Sequence, residues 1–86
     1  MSQQYTFPAI FYKDEENECY TVAFADLDIF TEGETIEQAY DSAKEFLQTY
    51  IKYSIKEYGE VEKASSFDEV KKTHQNETIM LVNVNI

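Results

Sequence analysis

The stretch from Thr35 to Gly59 limits what this chain can become more than any other. Ile36, Ala39, Tyr40, Ala43, Phe46, Leu47, Tyr50, Ile51, Ile55 and Tyr58 recur at three- and four-residue spacing, which lays a broad apolar stripe along a helix. Thr35 followed three residues later by Gln38 reads as a capping box: the Thr35 oxygen accepts the Gln38 amide and the Gln38 side chain reaches back. Gly59 is the natural stop, since glycine closes a helix in the left-handed conformation without a Cβ penalty. Such a stripe needs a sheet or a second helix beneath it, because packing supplies most of a helix's stability.

The flanking segments supply a sheet. Tyr5 to Lys13 alternates, with Tyr5, Phe7, Ala9 and Phe11 on one face and Ile10 and Tyr12 on the other, as in a strand partly covered on both sides. Pro8 suits an edge strand or the end of a ladder. Asp14 to Glu18 is a polar loop of hairpin length, and Cys19 to Ala25 alternates again, with Tyr20, Val22 and Phe24 together. A bend and a short third strand around Ile29 to Thr31 follow, with Gly33 free to take a positive φ. Ser65 to Lys72 reads as one or two helical turns capped by Ser65 or Ser66, Phe67 and Val70 pointing inward. In the final TIMLVNVNI, Met80, Val82, Val84 and Ile86 share a face. The expectation is a single domain, residues 1–86, of the α+β class: a two-layer β-β-β-α-β arrangement whose antiparallel-rich sheet carries one long helix.

Eighty-six residues bury only about 60 % of the surface their unfolded chain exposes, so a small domain like this calls for a helper. A single cysteine, Cys19, forms no intrachain disulfide, and with one histidine, His74, makes no zinc-ligand set. Self-association remains, and the tyrosines of the helix (Tyr40, Tyr50, Tyr53, Tyr58) with the last strand offer apolar surface for a homo-oligomer. The first residues hold no basic cluster ahead of an apolar stretch, and nowhere do about 18 apolar residues run together, so no membrane span and a cytoplasmic location are expected.

The formal net charge is −10, and it is uneven: up to Glu34 there are eight acids against Lys13 alone. With no arginine and an acidic field that repels phosphate backbones, direct DNA or RNA binding is disfavoured and a basic protein partner is favoured. No enzyme chemistry stands out. His74 sits in a polar KKTHQNE run without an evident nucleophile, read as an exposed surface histidine, and Cys19 has no activating cation in sight. Asp26, Asp28, Glu32 and Glu34 are the most metal-like set, yet they lack calcium-loop spacing, and no cofactor or metal is expected. Glycines occur only at positions 33 and 59, which excludes a phosphate-binding loop.

The segments FPAIFYKDE, CYTVAFADLD, FTEGETIEQAYDSAKEFLQTYI and IMLVNVNI together resemble the HicB family of antitoxins, in order and spacing and over most of the chain. Tyr20, Val22, Phe24, Asp26 and Leu27 match its second strand, Thr31, Gly33 and Thr35 its Thr-x-Gly-x-Thr turn, and Glu37, Ala39 and Ala43 the start of its helix. Ala25 replaces the usual proline, a short Asp28-Ile29 replaces a Pro-Gly-Cys, and Glu34 replaces Asp. The resemblance implies a partial ribonuclease H-like fold without catalytic carboxylates. It also implies a partner, a HicA-type basic toxin with a double-stranded-RNA-binding-like fold that cleaves messenger RNA with a histidine. An acidic antitoxin covering that basic surface would speed association and block substrate together. The residues expected to bind the partner are Asp26, Asp28, Phe30, Glu32 and Glu34, with the Asp14 to Glu18 tip as an accessory.

Many HicB proteins carry a further ribbon-helix-helix or helix-turn-helix domain that binds operator DNA. These residues do not include one, which puts autorepression in doubt whether the protein is naturally short or this is a piece of a longer one. Two other readings stay open: an orphan HicB-like interaction module without a cognate toxin, and a magnesium-dependent nuclease acting through Asp26, Asp28 and Glu32.

Overall fold

The computed structural model describes residues 3–86. Its elements are β1 (Gln4–Asp14), β2 (Cys19–Phe24), β3 (Phe30–Gly33), α1 (Ile36–Tyr58), α2 (Phe67–Thr73) and β4 (Thr78–Asn85). The strands form one sheet in the order β3-β2-β1-β4, each neighbouring pair antiparallel. This is the expected α+β architecture, with a short helix added. That addition sets the sense of the last strand. β3 runs parallel to β1, so a single returning helix would bring β4 in parallel; the second helix reverses the chain once more.

β1 and β2 pair as a hairpin with Asp14 opposite Cys19. Asp14 organises the loop: one carboxylate oxygen accepts the amides of Glu16 (3.1 Å) and Asn17 (3.3 Å), and the other accepts the Asn17 side-chain amide at 2.8 Å. Glu18 closes it at φ 51°, a left-handed conformation that a side chain disfavours. Pro8 does not sit on an edge strand, because β1 is flanked by β2 and β4. It sits at a ladder end: its carbonyl accepts the Ala25 amide at 3.2 Å, one step beyond the last β1–β2 pair, Ala9 with Phe24. Its missing N–H therefore falls where β2 has already ended.

The third strand lies slightly later than the sequence suggests. Leu27 and Ile29 turn into the core instead, and the Ile29 carbonyl accepts the Phe24 amide at 3.2 Å. Gly33 is a correction as well. The sole positive glycine φ belongs to Gly59 (72°). Gly33 is needed for a different reason: a Cβ there would stand 2.8 Å from the Ala39 Cα, so strand and helix meet too closely for any side chain.

Thr35 caps α1 as expected, its hydroxyl accepting the Gln38 amide at 3.1 Å. The Gln38 side chain reaches one residue further back than a capping box requires, to the Glu34 amide at 3.1 Å. At the other end the Gly59 amide donates to the Ile55 carbonyl at 3.0 Å. The buried stripe is narrower than the apolar one: Ala39, Ala43, Leu47, Ile51 and Ser54 face the sheet, while Ile36, Phe46, Ile55 and Tyr58 are exposed. Beneath them lie Phe7, Ala9, Phe11, Val22, Phe24, Val82 and Val84. Truncating a residue as enclosed as Leu47 to alanine would cost about 2–5 kcal/mol.

The opposite sheet face has its own small core. Ile10 and Ile79 are cross-strand partners out of phase with the α1-facing residues, and Val70 of α2 covers them. Ser66 caps α2 in a reciprocal box with Glu69: the Glu69 amide donates to Ser66 Oγ (3.2 Å) and the Ser66 amide to Glu69 Oε1 (3.4 Å). Val70 is buried as predicted, but Phe67 is exposed.

Candidate functional site

The expected partner-binding residues lie on and just before β3, an edge strand. Strand alternation puts Phe30 and Glu32 on the same face. Phe30 is opposite Ala23, which is opposite Ile10, which is opposite Ile79, so these four form one row on the face away from α1. Glu32, opposite Thr21 and then Tyr12, begins the next row. α2 covers Ile10 and Ile79, and Ala23 is too small to shield its neighbour, leaving Phe30 68 % exposed. Asp28, Glu32 and Glu34 are exposed too. An aromatic ring standing uncovered among carboxylates suits a surface that is apolar at its centre and anionic at its rim.

Asp26 has a different occupation. It is half-buried, and its two oxygens accept the Ser65 amide (2.9 Å) and the Ser65 hydroxyl (2.6 Å). That pair ties the chain leaving α1 to the end of β2 just before α2 begins. The structure therefore gathers Asp28, Phe30 and Glu32 at one exposed place, with Glu34 at the strand's end, and gives Asp26 an internal partner.

The acidic surface extends beyond what the first half of the sequence indicated. Glu32 and Glu34 share a groove with Asp41 and Glu45 of α1, and Glu34 lines another with Lys13, Glu15 and Glu18 of the hairpin tip. The missed signal was the pair of acids one turn apart early in the helix. At the tip, the Asn17 side chain foremost, with the backbone amides, holds Asp14 below the usual carboxylate range. Burial first, then the Asp14 and Glu32 carboxylates, push the Cys19 thiol up, which disfavours the reactive thiolate.

Other titratable groups meet near α2. His74 is half-buried, not exposed: it caps the end of α2, and its Nδ1 lies 3.3 Å from Glu77 Oε1. Burial, then the Glu77 carboxylate beside it, push the Tyr12 hydroxyl above its ordinary range. Asp26, Ser65 and His74 border one groove, but they are not arranged as a catalytic triad. Ser65 donates straight to the carboxylate, and the histidine engages Glu77 instead of the hydroxyl. Among the described residues, no three His, Cys, Asp or Glu side chains are gathered as a metal ion would need, and no helix is long and apolar enough to cross a membrane.

The features define a class: a small acidic α+β domain with an uncovered aromatic ring among carboxylates at a sheet edge. Comparison with protein families is specific. Residues 7–86 match the HicB-like antitoxins of bacterial toxin–antitoxin systems, and the chain belongs to that family. It is similar to the solved N-terminal domain of the Burkholderia pseudomallei antitoxin HicB, with 26 % identity and a TM-score of 0.82 over 95 % of this chain and 100 % of that one. It is also similar to a longer structure of the same antitoxin, with 26 % identity and a TM-score of 0.79 over 93 % of this chain and 63 % of that one. A search of curated proteins returns no match.

Proposed function

We propose that this chain is the antitoxin of a HicAB-type pair, binding a basic HicA-type toxin and covering its RNA-binding and catalytic surface. The observation that carries the reading is the set of exposed residues Asp28, Phe30 and Glu32, on and just before an edge strand of a HicB-like antitoxin domain. The net charge of −10 supports it, because an acidic protein is steered toward a basic surface and competes there with phosphate. Phe30 would be the apolar anchor, Asp28, Glu32 and Glu34 the charged rim, with the hairpin tip at the margin. Asp26 belongs to the set through the fold, holding the loop that leads into β3.

The same proposal includes action in the cytoplasm, no catalysis and no DNA binding by these residues, and a homo-oligomeric state. Kinship with ribonuclease H is part of it, supported by the three-stranded meander followed by a long helix on one face. Co-expression with the short basic protein encoded beside it tests the reading. Restored growth and a co-eluting complex are expected, and both should be lost when Asp28 and Glu32 are changed to Lys. Growth arrest that persists beside folded antitoxin would leave an interaction module without a toxin.

A further inference from the structure

The solvent face of α1 carries charge in an order the fold does not use. At 100° per residue, Asp41, Glu45, Lys52 and Lys56 fall within about 60° of arc, on the side away from the buried Ala43 and Leu47. All four are exposed. Among the described residues the one ion pair is His74 with Glu77, so none of the four has an ion-pair partner among them. Within the helix they sit badly, since Asp41–Glu45 and Lys52–Lys56 are like charges at i,i+4. The helix macrodipole accounts for Lys56 alone, because its influence fades beyond the end turns of Ile36–Tyr58.

The order is self-complementary. Asp41 and Lys56 are equally far from the Gln48–Thr49 bond, and so are Glu45 and Lys52. An antiparallel pair of α1 helices, related by a two-fold axis at that bond, would set each acid level with a lysine of the other copy. Beside the charged arc stand Phe46 and Tyr53, 55 % and 53 % exposed, which come within two residues, about 3 Å of helical rise, of facing each other across the axis. Thr49, short and exposed, lies near the axis where the helices approach most closely.

We infer that the outer face of α1 is a homodimer interface, in which Asp41 and Glu45 of one copy pair with Lys56 and Lys52 of the other around Phe46 and Tyr53. A second copy is the occupant the charges select. Two chains of net charge −10 repel through most of their surfaces, and this face, holding both signs in mirrored order, joins them with opposite charges in register. Phe30 lies on the sheet face away from α1 and stays open in such a dimer, whereas Glu32 and Glu34, which share a groove with Asp41 and Glu45, border the interface. The inference rests on the homo-oligomeric part of the proposed function and needs no toxin.

The test is sedimentation of the full chain over a concentration series, with circular dichroism confirming that each variant folds. Wild type is expected to dimerise, more weakly as salt rises. Lys52→Glu with Lys56→Glu makes the face wholly acidic, and Asp41→Lys with Glu45→Lys makes it wholly basic. Each variant alone should lose roughly a hundredfold or more in dimer affinity. Mixed, the two should form a heterodimer, and all four changes in one chain should restore the homodimer. A wild type monomeric at every concentration would overturn both the oligomer and this interface. Variants that still self-associate would keep the oligomer and overturn the interface.

Discussion

Ser65 donates both its amide and its hydroxyl to Asp26, at 2.9 and 2.6 Å, and through that pair the end of β2 holds the start of the α2 segment. Hydrogen bonds to a charged acceptor are among the stronger ones, but this site is only half-buried. Asp26→Ala should cost about 1–2 kcal/mol and lower Tm by roughly 4–16 °C, whereas Asp28→Ala should leave thermal stability unchanged. A thermal melt of the two variants separates the carboxylate that builds the domain from the one offered to a partner. Equal melts would contradict the assignment.

Gly33 is required by the approach of β3 to α1 and not by its own dihedral angles. Gly33→Ala should therefore destabilise by about 1–3 kcal/mol, as overpacking does. Glu18 is the reverse case. Its φ of 51° strains a residue with a side chain, so Glu18→Gly should raise stability by about 0.5–1 kcal/mol despite the added freedom of the unfolded chain. Chemical denaturation of both variants checks the opposite signs.

The free edge of β4 is partly closed. The backbone of Ile86 pairs with Gln3 on the β1 side, so alternation turns the carbonyls of Leu81 and Asn85 outward. There they accept the Tyr40 hydroxyl at 3.4 Å and the Gln48 side-chain amide at 3.2 Å. These contacts obstruct addition of a further strand. Removing both, as Tyr40→Phe with Gln48→Ala, should change Tm little and speed aggregation on prolonged incubation, measured by light scattering. Unchanged aggregation would mean that the edge is protected in some other way.

Asp14 contributes one pH-dependent element to the hairpin loop. Its folded-state pKa is lowered, by the Asn17 side chain first, so its contribution is fully present above the unfolded value of about 3.9 and is lost as pH falls through the lowered folded value. A carboxyl titration by NMR should place the Asp14 midpoint below that of an ordinary aspartate. Asn17→Ala should move it back up.

The sequence and the structure agree where a signal is local and unopposed. Thr35 with Gln38, Gly59, the alternation of Cys19 to Phe24 and the cap at Ser66 depend on neighbours within a few residues, and each element appears close to where it was read. The differences arise where distant residues decide. Pro8 could enter an interior strand because β2 ends opposite it, and Gly33 answers to the Ala39 backbone. Phe46 belongs to the apolar stripe by spacing, but the sheet is narrower than the stripe and leaves it outside. At the candidate site, alternation along β3 groups Phe30 with Glu32, although the strand expected around Ile29 to Thr31 does not reach Glu32. The partner of Asp26 lies 39 residues away, and no local pattern points to Ser65.

The central claim is that the exposed face of β3 binds a basic toxin, and calorimetric titration of this chain with that protein tests it most directly. Saturable binding that weakens as salt rises is predicted. Phe30→Ala should cost about 2 kcal/mol of affinity or more, as a buried aromatic anchor does, and Glu32→Lys should slow association, with both variants melting like wild type. No binding, or binding indifferent to salt and to both changes, would contradict the account.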